Sequence, residues 1–434
     1  MTPFSIGSLP EGNDDSSYDA PNPVVTNVRW VRAAISPFRV LSNRDFKWLW
    51  FGMVGQASSM WAETVARNWL VWEMTHSGMA LGLVNLCRAI PTLLLGVWGG
   101  VAADRFDKRK LLMVIQVWTL LVYLVMAILL IGDWIKLWHV YVMAAAMGAG
   151  MAFNQPVRTS FVPQLVPQKD LLSALSLNSV AINLSRLVGP AAIGLLIAFS
   201  GVGAAYVVSC FLYLGILFAT MMIQSQNLHR TKASVGSMMQ ELFQGFGFLH
   251  RNRLVLMLVL LALGPLAFAF SYLTLLPIYS TEILYMGPKG FGSLQSVGSI
   301  GALIAGLTIA SRGNIPRKGL LMLVTGAIYG ITVMALGANH WALGAFLIIA
   351  LASGAQTIFR AANNSSIFEY TPREFQGRVI SITLWETGLQ PVAAILAGIV
   401  SDLAGVSVAM AVIGVACLLI TLLIGTIEPK IRYI

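Results

Sequence analysis

Charged side chains are scarce in this chain of 434 residues, where Asp, Glu, Lys and Arg make up 11% of positions. A soluble domain of this size carries about a quarter charged residues. Hydrophobic residues instead make up 57% of positions, and long stretches almost free of charge recur along the chain. A helix needs about 20 apolar residues to cross a ~30 Å hydrocarbon layer and satisfies its own backbone there. We therefore predict an all-α integral membrane protein with about twelve spans.

Other scarcities exclude whole classes of function. The three cysteines, Cys87, Cys210 and Cys417, fall in separate predicted spans without a CxxC pair, which argues against disulfides and a metal site. No Gly-Lys pair occurs, so the phosphate-binding loop of an ATP-driven pump is missing. HExxH is absent and the five histidines lie at loops or span ends. We therefore expect no enzyme activity, no metal and no cofactor. The polar first 25 residues also predict no cleavable signal peptide, so that the first span itself directs insertion.

The net charge of +10 is distributed asymmetrically. Of the 28 Lys and Arg residues, 23 fall on one side of the predicted spans, Arg158 and Lys169 after the fourth span among them. The opposite side holds Lys136 and Lys289, and three arginines lie within spans. This asymmetry predicts an even number of spans with both termini in the cytoplasm. It also favours loops held at anionic headgroups over nucleic-acid binding.

Weak internal repetition divides the chain into two similar parts. The sequence after the fourth predicted span, 166–170, resembles that after the tenth, 371–375, and Gly100 corresponds to Gly306 at nearly the same spacing. We predict a cytoplasmic tail (1–44) in which Val28 to Arg39 is typical of an interfacial helix. An N-terminal six-helix bundle (45–224), a cytoplasmic linker (225–253) and a C-terminal six-helix bundle with a short tail (254–434) follow. Two such halves with a solute site between them are a recurring transporter plan.

A basic loop between the second and third spans resembles a known signature. Gly100, Asp104, Arg105, Lys108 and Arg109 match the signature loop of the major facilitator superfamily, although Asp107 stands where that loop has a glycine. The resemblance implies the major facilitator fold, with twelve helices in two pseudo-symmetric halves. In that superfamily the loop latches the halves together in the outward-facing state. Here the resemblance implies a partner at the start of the eleventh span, near Arg378.

Further sequence segments resemble one branch of this superfamily. Gly189, Pro190 and Gly194 in the fifth span partly match the antiporter motif of exporters, with simple helix packing as the alternative interpretation. Residues 43–52 and 69–75 look like the enterobactin-exporter and macrolide-efflux branch. This implies a monomeric exporter in the inner membrane that exchanges protons for drug- or siderophore-like amphiphiles. Uptake and lipid transport remain alternatives, and Ala144 stands where many drug–proton antiporters have an arginine.

Ionisable residues within predicted spans are candidates for proton coupling, because charge at bilayer depth is costly. Glu63 and Arg67 are one helical turn apart and can pair, and Arg186 lies at a comparable depth, so we expect Glu63 to bridge both arginines. The alternative is a structural cluster that closes an outer vestibule. Glu386 lies about 15 Å into the eleventh span, without a basic residue within a turn. An isolated carboxyl at that depth is suited to carry a proton, with a neutral, hydrogen-bonded acid as the alternative.

Polar and soft apolar side chains within the spans predict a cavity of mixed character. Such a lining suits amphiphilic solutes better than sugars or ions. The residues that we expect to line it are Met60, Asn178, Asn183, Tyr272, Gln356 and Gln390.

Overall fold

The computed structural model describes residues 40–224, 247–312, 316–372, 374–376, 379 and 385–434, with side chains from residue 388 in the last range. The predicted interfacial helix and most of the predicted linker (225–246) lie outside the described residues. Within them the chain is helical, and no strand occurs. The all-α prediction is confirmed.

Twelve long helices follow one another in the described part of the chain. Gly201 has a φ of 74° and a ψ of 173°, which separates the stretch Leu171–Met221 into two helices, α5 (171–200) and α6 (202–221). The other ten are α1 (Arg44–Thr75), α2 (Gly78–Arg105), α3 (Lys108–Ile131), α4 (Leu137–Leu165), α7 (Arg253–Ile283), α8 (Gly287–Arg312), α9 (Lys318–Ala338), α10 (Ala342–Tyr370), α11 (Trp385–Ala404) and α12 (Val406–Ile427).

Eight described segments are long and apolar enough to cross a membrane, and one of them, residues 168–221, contains both α5 and α6. The remaining helices are α1, α4 and α11. With 32 and 29 residues, α1 and α4 exceed the length of a span but are more polar, while α11 has an apolar part over Gly388–Ala404. The chain is therefore a multi-pass membrane protein.

Hydrogen bonds between chain segments show that successive helices alternate in direction. At one end, which we call the basic end, the Asn43 side chain donates to Leu165 O at 2.8 Å, and Gln224 N donates to the Asp45 carboxylate at 3.1 Å. The start of α1 therefore lies beside the ends of α4 and α6. At the opposite end, which we call the far end, Tyr279 Oη donates to Asn339 O at 2.7 Å.

Helix packing repeats at an interval of six helices. α2 packs on α4 as α8 packs on α10, and α3 packs on α6 as α9 packs on α12. Across the middle of the molecule, α2 packs on α11 and α8 packs on α5. These contacts define two pseudo-symmetric halves of six helices each.

The hydrophobic core joins the halves at one end only. A single cluster of buried side chains runs through the middle and the far end, with Trp69 and Tyr206 from the first half and Tyr279 and Met410 from the second. At the basic end two smaller clusters are separate. One contains only residues of the first half, between Val40 and Ile223, and the other only residues of the second half, between Leu249 and Ile431. The described structure is thus closed at the far end and divided at the basic end.

Close backbone packing holds the far end closed. The Cβ that a side chain would add at Gly78 lies 2.9 Å from Gly398 Cα, and one at Gly82 lies 2.6 Å from Ile395 Cα. α2 and α11 are therefore too close there for larger residues. The Asp402 carboxylate of α11 also accepts hydrogen bonds from Ser77 Oγ (2.7 Å), Gly78 N (2.5 Å) and Met79 N (3.0 Å). Negative charge at the N-terminus of α2 is favourable because unpaired amides and the helix dipole meet it there.

Candidate functional site

A cavity of about 350 Å³ lies between the two halves. Residues of α1, α2 and α5 line one side of it, and residues of α7, α8, α10 and α11 line the other. Its lining mixes apolar side chains, such as Met60 and Phe270, with amides, hydroxyls and three guanidinium groups. The cavity therefore lies where a solute would contact both halves at once.

A buried ion cluster adjoins the cavity. Glu63 on α1 is 2% exposed, and its carboxylate binds two arginines: Oε1 lies 2.6 Å from Arg67 Nε, and Oε2 lies 2.7 Å from Arg88 Nη1. The predicted pairing of Glu63 with Arg67 is confirmed. The predicted bridge from Glu63 to Arg186 is wrong, because Arg88 on α2 occupies the second carboxylate oxygen.

Neighbouring polar groups orient the two arginines. Arg67 Nη1 donates to Asn85 Oδ1 at 3.0 Å, and Arg88 Nη1 also lies 3.4 Å from Thr64 Oγ1. Arg88 Nη2 has only the sulfur of Met151, at 3.6 Å, as a hydrogen-bond acceptor among the described residues. Thioether sulfur is a weak acceptor, so Arg88 retains donor capacity beside the cavity.

Arg186 on α5 has a different environment. Its guanidinium carbon lies 5.5 Å from the centroid of the Trp61 ring, which is within the range of a cation–π contact. Both side chains line the cavity. The indole Nε1 of Trp61 is buried without a hydrogen-bond acceptor in the described part of the chain. Cation and indole thus form one wall of the cavity.

The second half contributes mainly uncharged polar groups. Tyr272 Oη and Ser353 Oγ lie 3.5 Å apart, and Gln390 Nε2 donates to Leu266 O at 2.9 Å. Leu266 lies within a π-helical turn of α7, Leu263–Phe268, where the backbone departs from a regular α-helix. Such turns often occur at functional sites.

The predicted cavity residues divide into two groups. Met60, Tyr272 and Gln390 line the cavity. Asn178, Asn183 and Gln356 are not among its lining residues in the described structure. Asn183 is exposed and donates to Ser179 O on its own helix, and Gln356 is buried elsewhere. The side chain of Glu386 lies outside the described residues.

The signature loop lies at the basic end. Arg109 donates to the carbonyls of Thr220 (3.3 Å) and Met221 (2.7 Å) and so binds the end of α6. Asp107 caps α3 by accepting a hydrogen bond from Lys110 N at 3.0 Å, which gives a local reason for an acid in place of the motif's glycine. A side chain added at Gly100 would meet open space. Asp104, Arg105 and Lys108 lie beside these groups at the α2–α3 turn, and the predicted partner Arg378 lies outside the described residues.

The residues of the antiporter-like motif lie at the contact between α5 and α8. A Cβ at Gly194 would lie 2.5 Å from Pro288 O, and one at Gly292 would collide with Pro190 O. A Cβ at Gly189 would lie 3.3 Å from Trp61 Cβ. These positions permit α5 to approach α8 and the cavity wall closely, which agrees with the alternative interpretation of the motif as simple helix packing.

Three charged residues near the helix interfaces have contacts that the sequence did not predict. Arg88 belongs to the Glu63 cluster, and Asp402 binds the start of α2. Arg158, expected in a loop, is 4% exposed because α4 continues to Leu165, and its Nε donates to Asn154 Oδ1 at 2.9 Å. A charge at the last turns of an apparently apolar stretch is the signal that would have revealed it.

Comparisons with a family model and with known proteins all match transporters. The family model described as "Transmembrane secretion effector" matches residues 34–432. The chain is 26% identical to the staphyloferrin A transporter of Staphylococcus aureus, over 86% of this chain and 93% of the relative. It is 24% identical to macrolide efflux protein A of Streptococcus pyogenes (81% and 89%) and 26% identical to the enterobactin exporter EntS of Escherichia coli (80% and 84%).

Solved structures support the fold. A POT family transporter superposes with a TM-score of 0.72, covering 89% of this chain and 96% of that one at 13% sequence identity. The nucleoside transporter NupG superposes with a TM-score of 0.70, covering 88% and 98% at 10% identity. At these identities the likeness shows the fold alone. The predicted two-half transporter fold is confirmed.

Proposed function

Because this chain belongs to the transmembrane secretion effector family of major facilitator transporters, we propose that it exports amphiphilic small molecules, drug- or siderophore-like, in exchange for protons. Its relatives include transporters of a siderophore and of macrolides. We place it in the cytoplasmic membrane as a monomer that contacts membrane lipids, with both termini in the cytoplasm. Asymmetry of the basic residues supports that orientation.

The cavity between the halves carries the proposal. Its walls combine apolar side chains with convergent polar groups, which is the composition of sites for small organic ligands. It is formed by both halves, so that movement of one half against the other changes access to it. A solute held there contacts helices of both halves.

The different packing at the two ends supports alternating access as the mechanism that we propose. The cores of the halves are separate at the basic end and continuous at the far end. With the basic end in the cytoplasm, this conformation admits solute from inside the cell. Release to the outside then requires the far-end contacts at Asp402, Gly82 and Gly292 to part, while the basic end closes. We assign the signature loop, with Asp104 and Arg378 as partners, to hold that closed basic end.

Proton coupling is assigned to Glu386 first and to Glu63 second, with Arg67 and Arg186 as neighbouring charges. Glu63 is already bound to two guanidinium groups, so that protonating it would release both arginines. Glu386 has no basic residue within a turn in the sequence. A carboxyl without a cation beside it in its own helix sequence is suited to gain and lose a proton, which favours Glu386 as the carrier.

Efflux from cells tests the proposal. Cells expressing the wild type, Glu386→Gln or the exposed control Glu282→Gln are loaded with a panel of amphiphilic dyes and drugs, with and without a protonophore. We expect efflux by the wild type and the control, and retention with the protonophore or in Glu386→Gln. Wild-type efflux that survives the protonophore would exclude proton antiport. Dye accumulation that rises with expression would instead indicate uptake.

A further inference from the structure

We propose that the cavity selects solutes that carry a negative charge, in particular a carboxylate attached to an apolar body. This inference rests on the proposed export function, because it concerns the substrate of the same cavity. Its basis is the juxtaposition of Arg67, Arg88 and Arg186 around one buried space.

The charges that face the cavity do not balance. Three guanidinium groups line it, and its described lining contains no Asp or Glu. Glu63 lies immediately behind Arg67 and Arg88 and compensates one positive charge. The described cluster therefore keeps an excess of two positive charges between the two halves. Buried charges in proteins are normally paired, and a bound anion would provide the missing partner.

Two of the guanidinium groups at the cavity have N–H donors without a strong acceptor among the described residues, and the amide oxygen of Gln295 is also without a partner there. A guanidinium carries five N–H donors and no acceptor. Arg186 rests on the Trp61 ring at 5.5 Å, and a contact with a ring face satisfies none of those donors. Arg88 Nη2 has only the Met151 sulfur, at 3.6 Å, among the described residues. A carboxylate presents two oxygens in the geometry that matches a guanidinium fork.

Apolar residues beside the arginines suit an apolar body attached to the anionic group of the solute. Met60, Leu93, Phe270 and Leu273 line the same cavity. They can contact the hydrocarbon or aromatic body of a solute while its anionic group faces the arginines. A cationic solute of the same shape would meet an excess of two positive charges, and the repulsion is stronger beside a protein wall than in bulk water.

Binding to the purified full-length protein in nanodiscs tests the inference. We would use three fluorescent probes with one shared alkyl chain, ending in a carboxylate, a carboxamide or an ammonium group, and measure anisotropy. We expect the carboxylate to bind about tenfold more tightly than the carboxamide, as a charge-assisted hydrogen bond implies, and the ammonium to bind most weakly.

Substitutions of single arginines test which residue causes the preference for the carboxylate probe. Arg186→Gln should weaken carboxylate binding about tenfold and leave carboxamide binding within about twofold, which also shows that the variant is folded. Arg186→Lys should retain most of the preference, and the exposed Arg312→Gln at the basic end should retain all of it. Equal or tighter binding of the ammonium, or equal weakening of all probes by Arg186→Gln, would overturn the inference.

Efflux of the same probes separates this inference from the proposed export function. Preferential outward transport of the carboxylate supports both. Outward transport of all probes irrespective of charge would leave export in place and overturn anion selection. Selective binding of the carboxylate without outward transport would support anion selection and overturn export.

Discussion

Arg88 Nη1, on α2, lies 2.7 Å from Glu63 Oε2, on α1. This contact joins two helices beside the cavity and leaves the other carboxylate oxygen to Arg67. Since Glu63 is 2% exposed and the side chains of its partners are 3% and 15% exposed, the cluster depends on its internal pairing. Any change in the charge of Glu63 therefore affects both helices and the cavity wall.

Neutralising Glu63 should destabilise the protein. In Glu63→Gln both arginines remain buried without a counter-charge, and breaking a buried ion pair on one side costs about 3–5 kcal/mol. We expect a lower thermal-unfolding midpoint in detergent, with Glu282→Gln unchanged because Glu282 is exposed. Adding Arg88→Gln to Glu63→Gln should restore part of the loss, because one unpaired charge is then removed. A midpoint equal to that of the control would show that the cluster contributes nothing to stability.

Weakening the Asp402 contact should favour opening of the far end. Asp402 accepts three hydrogen bonds from the start of α2, and losing charged hydrogen bonds costs about 1–3 kcal/mol. With Ala394→Cys as a cavity reporter, Asp402→Ala should increase labelling by an impermeant maleimide from the far end about fivefold or more. Glu73→Gln, exposed at the same end, is the matched control. Unchanged labelling in Asp402→Ala would show that this contact does not hold the closed state.

Enlarging Gly292 should prevent the present closure of the far end. A side chain at this position collides with Pro190 O and lies 3.0 Å from Gly194 Cα. Gly292→Val should therefore separate α5 from α8, reduce export and increase far-end labelling of the same reporter. Gly215→Val, where an added Cβ meets open space, should behave as the wild type. Full export by Gly292→Val would mean that the close approach is not required for the cycle.

Export of an anionic solute in exchange for protons should respond to the membrane potential. Each negative charge that moves outward across a membrane negative inside gains about 2.3 kcal/mol per 100 mV. In proteoliposomes, a potassium diffusion potential set by valinomycin should accelerate exit of the carboxylate probe when it is negative inside, and slow it when reversed. The carboxamide probe should respond less, since only the proton then carries charge. Equal responses of the two probes would contradict the transport of an anion.

Features that depend on local sequence were predicted well. The all-α membrane fold follows from the scarcity of charge, and the Glu63–Arg67 pair follows from a spacing of four residues on one helix. Asp107 departs from the motif but follows a local rule, because an acid is favoured at the N-cap of α3.

Features that depend on helix register were not predicted. Which arginine reaches Glu63 depends on the depth and rotation of α2 and α5 relative to α1, and Arg88 was nearer than Arg186. Asn183 was expected in the cavity because it is a polar side chain within a predicted span, but the rotation of α5 leaves it exposed. Arg158 was assigned to a loop because the predicted fourth span ends at residue 157, whereas α4 continues through Pro163 to Leu165.

The direction of transport is the sharpest test of proton-driven export. Inside-out vesicles from cells expressing the protein are energised to acidify their lumen, and uptake of the carboxylate probe into the lumen is measured with and without a protonophore. The account predicts accumulation that the protonophore abolishes and that Glu386→Gln vesicles lack. Accumulation in right-side-out vesicles instead, with none in inside-out vesicles, would contradict export.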